Sequence, residues 1–478
     1  MTQDIILYWN EVALEANKVS HTTGEDGKLV NGPTMSSRAA AIVHLAMYDA
    51  FVGTDQNMPD KPRTTLTPYL GIANIPDASV SAAISAAANA TLSKLYPSQK
   101  AFFETKHKQA KIEGTTDEVN KGHKYGQDIA NEILKIRKDD PNSTDDGYSS
   151  YPSHGTHRPD PINPTQGYHG AFYGASKLFS SGVRYQLDTP PLAADSNAIY
   201  KKALKQVRAK GIATELMGTL PPTYEKRTVE ETIIGLFWGY DGAKGLGTPP
   251  RLYNQIIREI AMFQENTLEE NAHLFALINV AMGDAGILAW EQKYKHNYWR
   301  PVLGIREHDT SMGPLGTGNN TFNEDSDPLW CPLGAPNTNK KGEPNFTPPF
   351  PAYPSGHATF GGAVFEIAKK FYDLKDKNLQ PMFDTFSFVS DELNGVNTDN
   401  TGIIRPKHYR RFVGGFDQMI LENGLSRVWL GVHWSFDAFV LKNDGSIDLT
   451  KNTGGVPLGI KIANDVFDGG MGIQKSSV

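Results

Sequence analysis

Between Leu268 and Trp299 the chain reads LEENAHLFALINVAMGDAGILAWEQKYKHNYW, long, apolar and almost free of turn signals. Such a segment is satisfied in water by an α-helix buried on most sides. Its neighbours share the helical period. DIILYWNEVALEANKVS sets Ile5, Trp9, Val12 and Ala16 on one face at steps of three and four. SSRAAAIVHLAMYDAFVG and SVSAAISAAANATLSKLY are alanine-rich and read as buried helices, and DEVNKGHKYGQDIANEILKIRKD as a surface helix. HATFGGAVFEIAKKFYD and MILENGLSRVWLGVHWSFDAFVL are predicted to be helical as well. Alternating strand patterns are scarce, so the expected class is all-α, a helical-bundle architecture.

Composition removes several classes of function. The net charge of −6 over 478 residues gives no basic surplus for nucleic acid. Cys331 is the single cysteine, so no intrachain disulfide can form. The first residues, MTQDIILYWNEVALEANKVS, lack the basic start and continuous apolar core of a signal peptide. No run is expected to reach the ~20 apolar residues of a membrane span. The reading is a soluble globular chain, with compartment and oligomeric state left open.

Two long loops interrupt the helices, one from about Asp139 to Gly174 and one from about His308 to Pro349. The second ends at FPAYPSGHATFGGA, Phe350 to Ala363, and is expected to wall a site there. Ser355 suits a helix N-cap, and the first turn of the helix offers unpaired N–H groups. Gly356 lets a ligand approach that backbone, which makes the helix start an anion site. His357 would stand beside the anion and handle protons. Each feature also has a structural reading as an ordinary cap and a surface histidine.

Two further segments supply partners. In LSRVWLGVHWSFDA, His433 and Asp437 are four apart and would share a helical face. Asp437 could then hold one ring nitrogen and leave the other as a lone-pair donor. Arg427 could bind an oxyanion with both arms of its fork. In KYKHNYWRPVLG, Lys293 and Arg300 are seven apart, two turns along one face, with the helix stopped by Pro301. Taken singly, these residues read equally well as a surface ion pair and a cationic helix end. Together they give three cations, a hydroxyl, a helix N-terminal amide and two histidines, which suits a tetrahedral oxyanion.

The order K-x6-R-P, P-S-G-H, S-R-x5-H-x3-D resembles the signature of the superfamily that joins type 2 phosphatidic acid phosphatases, bacterial acid phosphatases and vanadium-dependent haloperoxidases. Within it the resemblance is strongest to the fungal-type vanadium chloroperoxidases. It extends to ILYWNEV, YHGAFYG, FWGYDG, GTPPRLYNQI and DAGILAW, from about Ile5 to Val440. It implies two packed four-helix bundles, here an N-terminal one of about 1–215 and a C-terminal active-site one of about 225–445.

The resemblance also implies roles. His433 would bind vanadium, and His357 would be the acid/base for exchange with hydrogen peroxide. Lys293, Arg300, Ser355, Gly356 and Arg427 would hold the vanadate oxygens, with Lys293 polarising bound peroxide. Asp241 would pair with Arg427. Trp290 and Phe350 would flank the halide, and phenylalanine at that position leans toward chloride oxidation. The expected reaction converts a halide to hypohalous acid, which halogenates a small organic acceptor. Phosphate has the shape of vanadate and is expected to fit the same cage. A phosphatase is therefore the alternative, with a phosphohistidine on His433 and His357 protonating the leaving oxygen. A non-catalytic anion-binding protein is a third reading, and it predicts a damaged cage.

Overall fold

A computed structural model describes residues 4–54, 68–75, 77–141, 147–318, 322–374 and 378–469. The fold is all-α. Among the described residues the only paired strands are Ser387–Phe388 and Arg410–Arg411, two residues each and antiparallel.

The helix Leu268–His296 lies at the centre. Thr267 and Glu270 start it with a reciprocal capping box. On one side it packs against Gly32–Thr54, which in turn meets Val80–Leu95 and Thr116–Ile136. Ala82, Ala83, Ala86 and Ala87 are buried and let those backbones approach closely. On the other side it packs against Gly356–Asp373 and Gly455–Gly469, and Gly415–Trp429 lies against Gly356–Asp373. The first helix, Ile5–Thr23, buries Ile5, Trp9, Val12 and Ala16, the face its periodicity predicts.

The structure corrects the expectation that no segment has the length and apolarity of a membrane span. Leu268–His296 meets both criteria, yet almost all of its most apolar stretch is buried inside the protein. A helix in contact with other helices on two sides has no polar face to give to water.

Two helix ends differ from the sequence reading, and both shape the site. The long helix stops at His296, because Asn297 takes a left-handed conformation at φ 47° and its N–H caps the Lys293 carbonyl at 2.8 Å. Arg300 is extended (φ −80°, ψ 156°) and precedes a separate short helix, Pro301–Arg306. Lys293 and Arg300 therefore do not share one helical face. The second break falls after Trp429. Gly431 has φ 75° there, and the chain turns before the short helix Ser435–Ala438. His433 and Asp437 are thus not two points on one continuous helix.

Gly431 admits no side chain. A Cβ there would lie 2.3 Å from the Gly211 carbonyl oxygen and 2.9 Å from the Pro332 Cβ. Gly431→Ala is expected to cost about 2–4 kcal/mol, combining left-handed strain with overpacking. Chemical denaturation of the two proteins measures this. A loss below ~0.5 kcal/mol, the range of ordinary surface substitutions, would mean that the turn relaxes freely.

The chain just after the first long loop is anchored to the central helix, and the two long loops are tied to each other. Asp284, fully buried on the long helix, accepts the backbone N–H groups of Phe179, Ser180 and Ser181, the last two at 3.0 and 2.7 Å. Burial pushes its carboxyl up to about 6 against those hydrogen bonds. Asp160 in the first loop accepts the Thr347 N–H of the second at 3.0 Å.

Candidate active site

A cavity of about 170 Å³ opens where the two loops meet the helix ends. His357, His433, Arg427, Gly356, Trp290, Phe350 and Asp241 all line it. Phe346, Pro348 and Pro349 add a wall from the second loop, as the sequence reading expects. Lys293, Arg300, Ser355 and Asp437 stand directly behind these residues.

Ser355 is the N-cap of Gly356–Asp373, and its Oγ accepts the Ala358 N–H at 3.4 Å. Its own N–H donates to the Asp437 carbonyl at 2.8 Å, which ties this helix start to the turn carrying His433. At Gly356 a Cβ would come within 3.2 Å of the Trp290 ring, so glycine here also keeps the indole against the helix start.

His433 is held from two sides. Its Nδ1 donates to Asp437 Oδ2 at 2.8 Å, so the lone pair is on Nε2. Nε2 accepts from Arg300 Nη1 at 2.8 Å. The contact between His433 and Asp437 that the sequence suggested is therefore present, but for a different reason. Asp437 is the third residue of the short helix, and its Oδ2 also accepts the Trp434 N–H at 3.0 Å. Burial drives His433 well below the usual imidazole range, with Arg300, Lys293 and Arg427 adding to the effect. Burial lifts Asp437 up to about 7, opposed by Lys293 and Arg300.

His357 Nε2 lies 2.8 Å from the Gly239 carbonyl, which can only accept. Its proton is therefore on Nε2, and the lone pair is on Nδ1. Burial, then Arg427, hold this ring down to about 3. Both histidines are neutral across the ordinary range of pH.

The three cations differ in their partners. Arg427 pairs with both oxygens of Asp241, at 2.9 and 2.7 Å, in the fork geometry that a carboxylate favours. Arg300 donates to the carbonyls of Phe350 at 2.9 Å and Val432 at 2.7 Å. Lys293 donates to the carbonyls of Pro351 at 2.9 Å, Ala352 at 3.1 Å and Pro354. Its ammonium also sits 5.1 Å from the Phe350 ring centre and 5.5 Å from that of Trp290. All three cations are at most 1% exposed. Burial, then Arg300, push Lys293 well below its usual range, and burial takes Arg300 down to about 9.

The charges do not balance. Three buried basic side chains face two carboxylates, Asp241 and Asp437, and burial pushes Lys293 as well as Asp437 toward the neutral form while no anion lies among them. Arg300 Nη2 and Arg427 Nε are sealed from solvent with no hydrogen-bond partner among the described residues. Desolvated charge of one sign is costly unless a counter-ion lies among it. The arrangement fits an anion, not a bare cation, and among the described residues no group of three acidic, histidine or cysteine side chains could hold a metal ion directly.

Comparison with known proteins agrees with this geometry. Residues 1–168 match the Vanadium chloroperoxidase N-terminal domain, and residues 273–445 the VCPO second helical-bundle domain. The vanadium chloroperoxidase of Curvularia inaequalis is 33% identical in an alignment that covers 98% of this chain and 90% of that protein. The chain belongs to the vanadium chloroperoxidase family. The fold is shared more widely in this group. A bacterial vanadium-dependent iodoperoxidase superposes with a TM-score of 0.63 at 18% identity, covering 97% of this chain and 96% of its own. The apo form of a bacterial vanadium-dependent chloroperoxidase gives 0.60 at 14% identity, over 96% and 97%.

Among the cavity residues that the sequence reading did not assign, one carries a titratable side chain. His169, in the first long loop, lines the site beside Trp290 and Phe350. The trace it left was the glycine that follows it. Gly170 has φ 73°, and a Cβ there would lie 2.7 Å from the Trp290 ring.

Proposed function

We infer that the cavity is a vanadate site and that the chain is a vanadium-dependent haloperoxidase, which uses hydrogen peroxide to oxidise a halide. The observation that carries this reading is the neutral His433, its Nε2 lone pair set among three buried cations. A tetrahedral oxyanion such as vanadate would need both features, counter-charge around it and one nitrogen ligand. The sealed Arg300 Nη2 and Arg427 Nε are donors of the kind that its oxygens would satisfy.

In this reading His433 Nε2 is the ligand, and Asp437 fixes its tautomer and direction. Arg300, Arg427, Lys293, Ser355 and the Gly356 amide hold the oxygens. Arg300, which now donates to Nε2 at 2.8 Å, would have to turn that donor to an oxyanion for His433 to act as ligand. Bound vanadate supplies a high-valent Lewis acid at which peroxide becomes electrophilic toward halide. His357 would accept a proton at Nδ1 and give it back, as the acid/base beside the bound anion. Lys293 would contribute positive charge to the side of the cavity formed by Trp290 and Phe350. Asp241 keeps the Arg427 fork in place. Trp290 and Phe350 give the halide an apolar, water-poor face, which favours oxidation of chloride as well as bromide. A cavity of about 170 Å³ admits small species, so the organic acceptor is small or reacts outside with released hypohalous acid.

Asp437→Ala is expected to weaken vanadate binding by about 10–100-fold, the usual effect of removing the partner of a ligating histidine. Equilibrium dialysis of the refolded-free, purified variant reads it directly. Unchanged affinity would remove Asp437 from the site.

The deciding experiment for the function uses metal-free protein with and without orthovanadate. One arm follows peroxide-dependent bromination and chlorination of a dione dye, and the other follows aryl phosphate hydrolysis. Halogenation that depends on vanadate is expected. Phosphate hydrolysis inhibited by vanadate, with no halogenation, would overturn the reading and make His433 a nucleophile.

A further inference from the structure

His169 completes a triangle of rings on the cavity wall. Its ring centre lies 6.5 Å from that of Trp290 and 6.3 Å from that of Phe350, which are 4.8 Å from each other. An anion drawn to this wall loses water and needs a hydrogen-bond donor in exchange. Trp290 does not offer one, because its Nε1–H donates to the His169 carbonyl at 3.1 Å. The Tyr294 hydroxyl donates to the same carbonyl at 2.8 Å, which fixes the loop to the long helix. Phe350 has no polar hydrogen. The His169 ring is the remaining member of the triangle.

The position of its proton follows from its neighbour. His169 Nε2 is 3.2 Å from Oγ1 of Thr34, a fully buried residue. The Thr34 hydroxyl has no other acceptor among the described residues, and a buried hydroxyl hydrogen is costly to leave unmatched. Thr34 therefore donates to Nε2, and the ring proton is on Nδ1. That atom makes no hydrogen bond to a described residue and is not sealed from solvent, while the ring lines the cavity. Burial, then His21, hold the ring down to about 4, so it stays a neutral donor.

We propose that the Nδ1–H of His169 is the hydrogen-bond donor that holds the halide against Trp290 and Phe350, which makes His169 a specificity-determining residue. A single neutral N–H beside two apolar rings compensates a monoanion and leaves a phosphate or vanadate trianion undersolvated. Lys293 stands against both rings and Arg300 against that of Phe350, and His169 adds a neutral donor beside them. The proposal rests on the haloperoxidase reading.

The test compares His169→Leu, which removes the donor, with His169→Asn, whose amide N–H reaches the place of Nδ1. His169→Leu is expected to raise the bromide and chloride KM about 10-fold or more, the effect of one lost hydrogen bond to a charged group, while kcat falls by less. His169→Asn is expected to recover most of that loss. Chloride NMR line broadening on the vanadate-loaded, peroxide-free proteins gives a second readout, present in wild type and Asn and reduced in Leu. An unchanged halide KM in His169→Leu overturns the proposal. So does an equal fall of kcat in both variants with no change in KM, which marks a packing role alone. Wild-type protein that oxidises no halide when loaded with vanadate would overturn the function reading instead, before any variant is compared.

Discussion

His433→Ala is expected to purify as a folded protein that keeps no vanadate through gel filtration. The loss of affinity exceeds the ~100-fold ceiling for removing an outer partner, because the ligand itself has gone. His433 Nε2 is the one imidazole lone pair in the cavity aimed at a buried arginine and backed by a buried carboxylate. Alanine removes the lone pair and leaves the three cations, so weak, purely ionic binding remains and washes away. Metal-to-protein ratio after gel filtration, with far-ultraviolet circular dichroism as the check on folding, measures the outcome. Retention of one vanadate per chain at wild-type affinity would move the anchor elsewhere.

His357→Ala separates holding the cofactor from using it. The variant is expected to bind vanadate within a few-fold of wild type and to lose about 10²–10⁴ in halogenation rate, the range of general acid–base catalysis. His357 makes no ion pair, and its proton is committed to the Gly239 carbonyl, so what it offers the cavity is the basic Nδ1. With an unliganded ring held at about 3, it gains basicity when an anion enters and offsets the field of Arg427. Steady-state bromination together with vanadate dialysis checks both halves. Loss of binding in step with loss of rate would make His357 an anchor.

The parts of this site that could be read from sequence are those fixed by local geometry. Ser355 caps its helix because serine before a helical run does so wherever it occurs, and His357 follows in the first turn. His433 and Asp437 do meet, as the spacing suggested, but a turn and a new helix bring them together and not one continuous helix. The two helix ends were misjudged because each depends on a left-handed residue, Asn297 or Gly431, placed by contacts far away in sequence. Gly431 lies against Gly211, a neighbour that no local pattern reveals. His169 was unreadable for the same reason. Its place beside Trp290 is decided by the closure of a long loop, tied down by Asp160, Asp284 and its own carbonyl.

The central helix Leu268–His296 lends its sides to two groups of helices, and its last turn carries Lys293 behind the cavity wall. Melting either group strips the same helix of half its cover and exposes a stretch too apolar to stand alone in water. Heat should therefore be resisted up to one common threshold, with no warm regime in which a half-melted chain still turns over. A ligand that tightens the cavity holds the helix that both groups share, so bound cofactor is expected to raise the single melting temperature of the whole molecule.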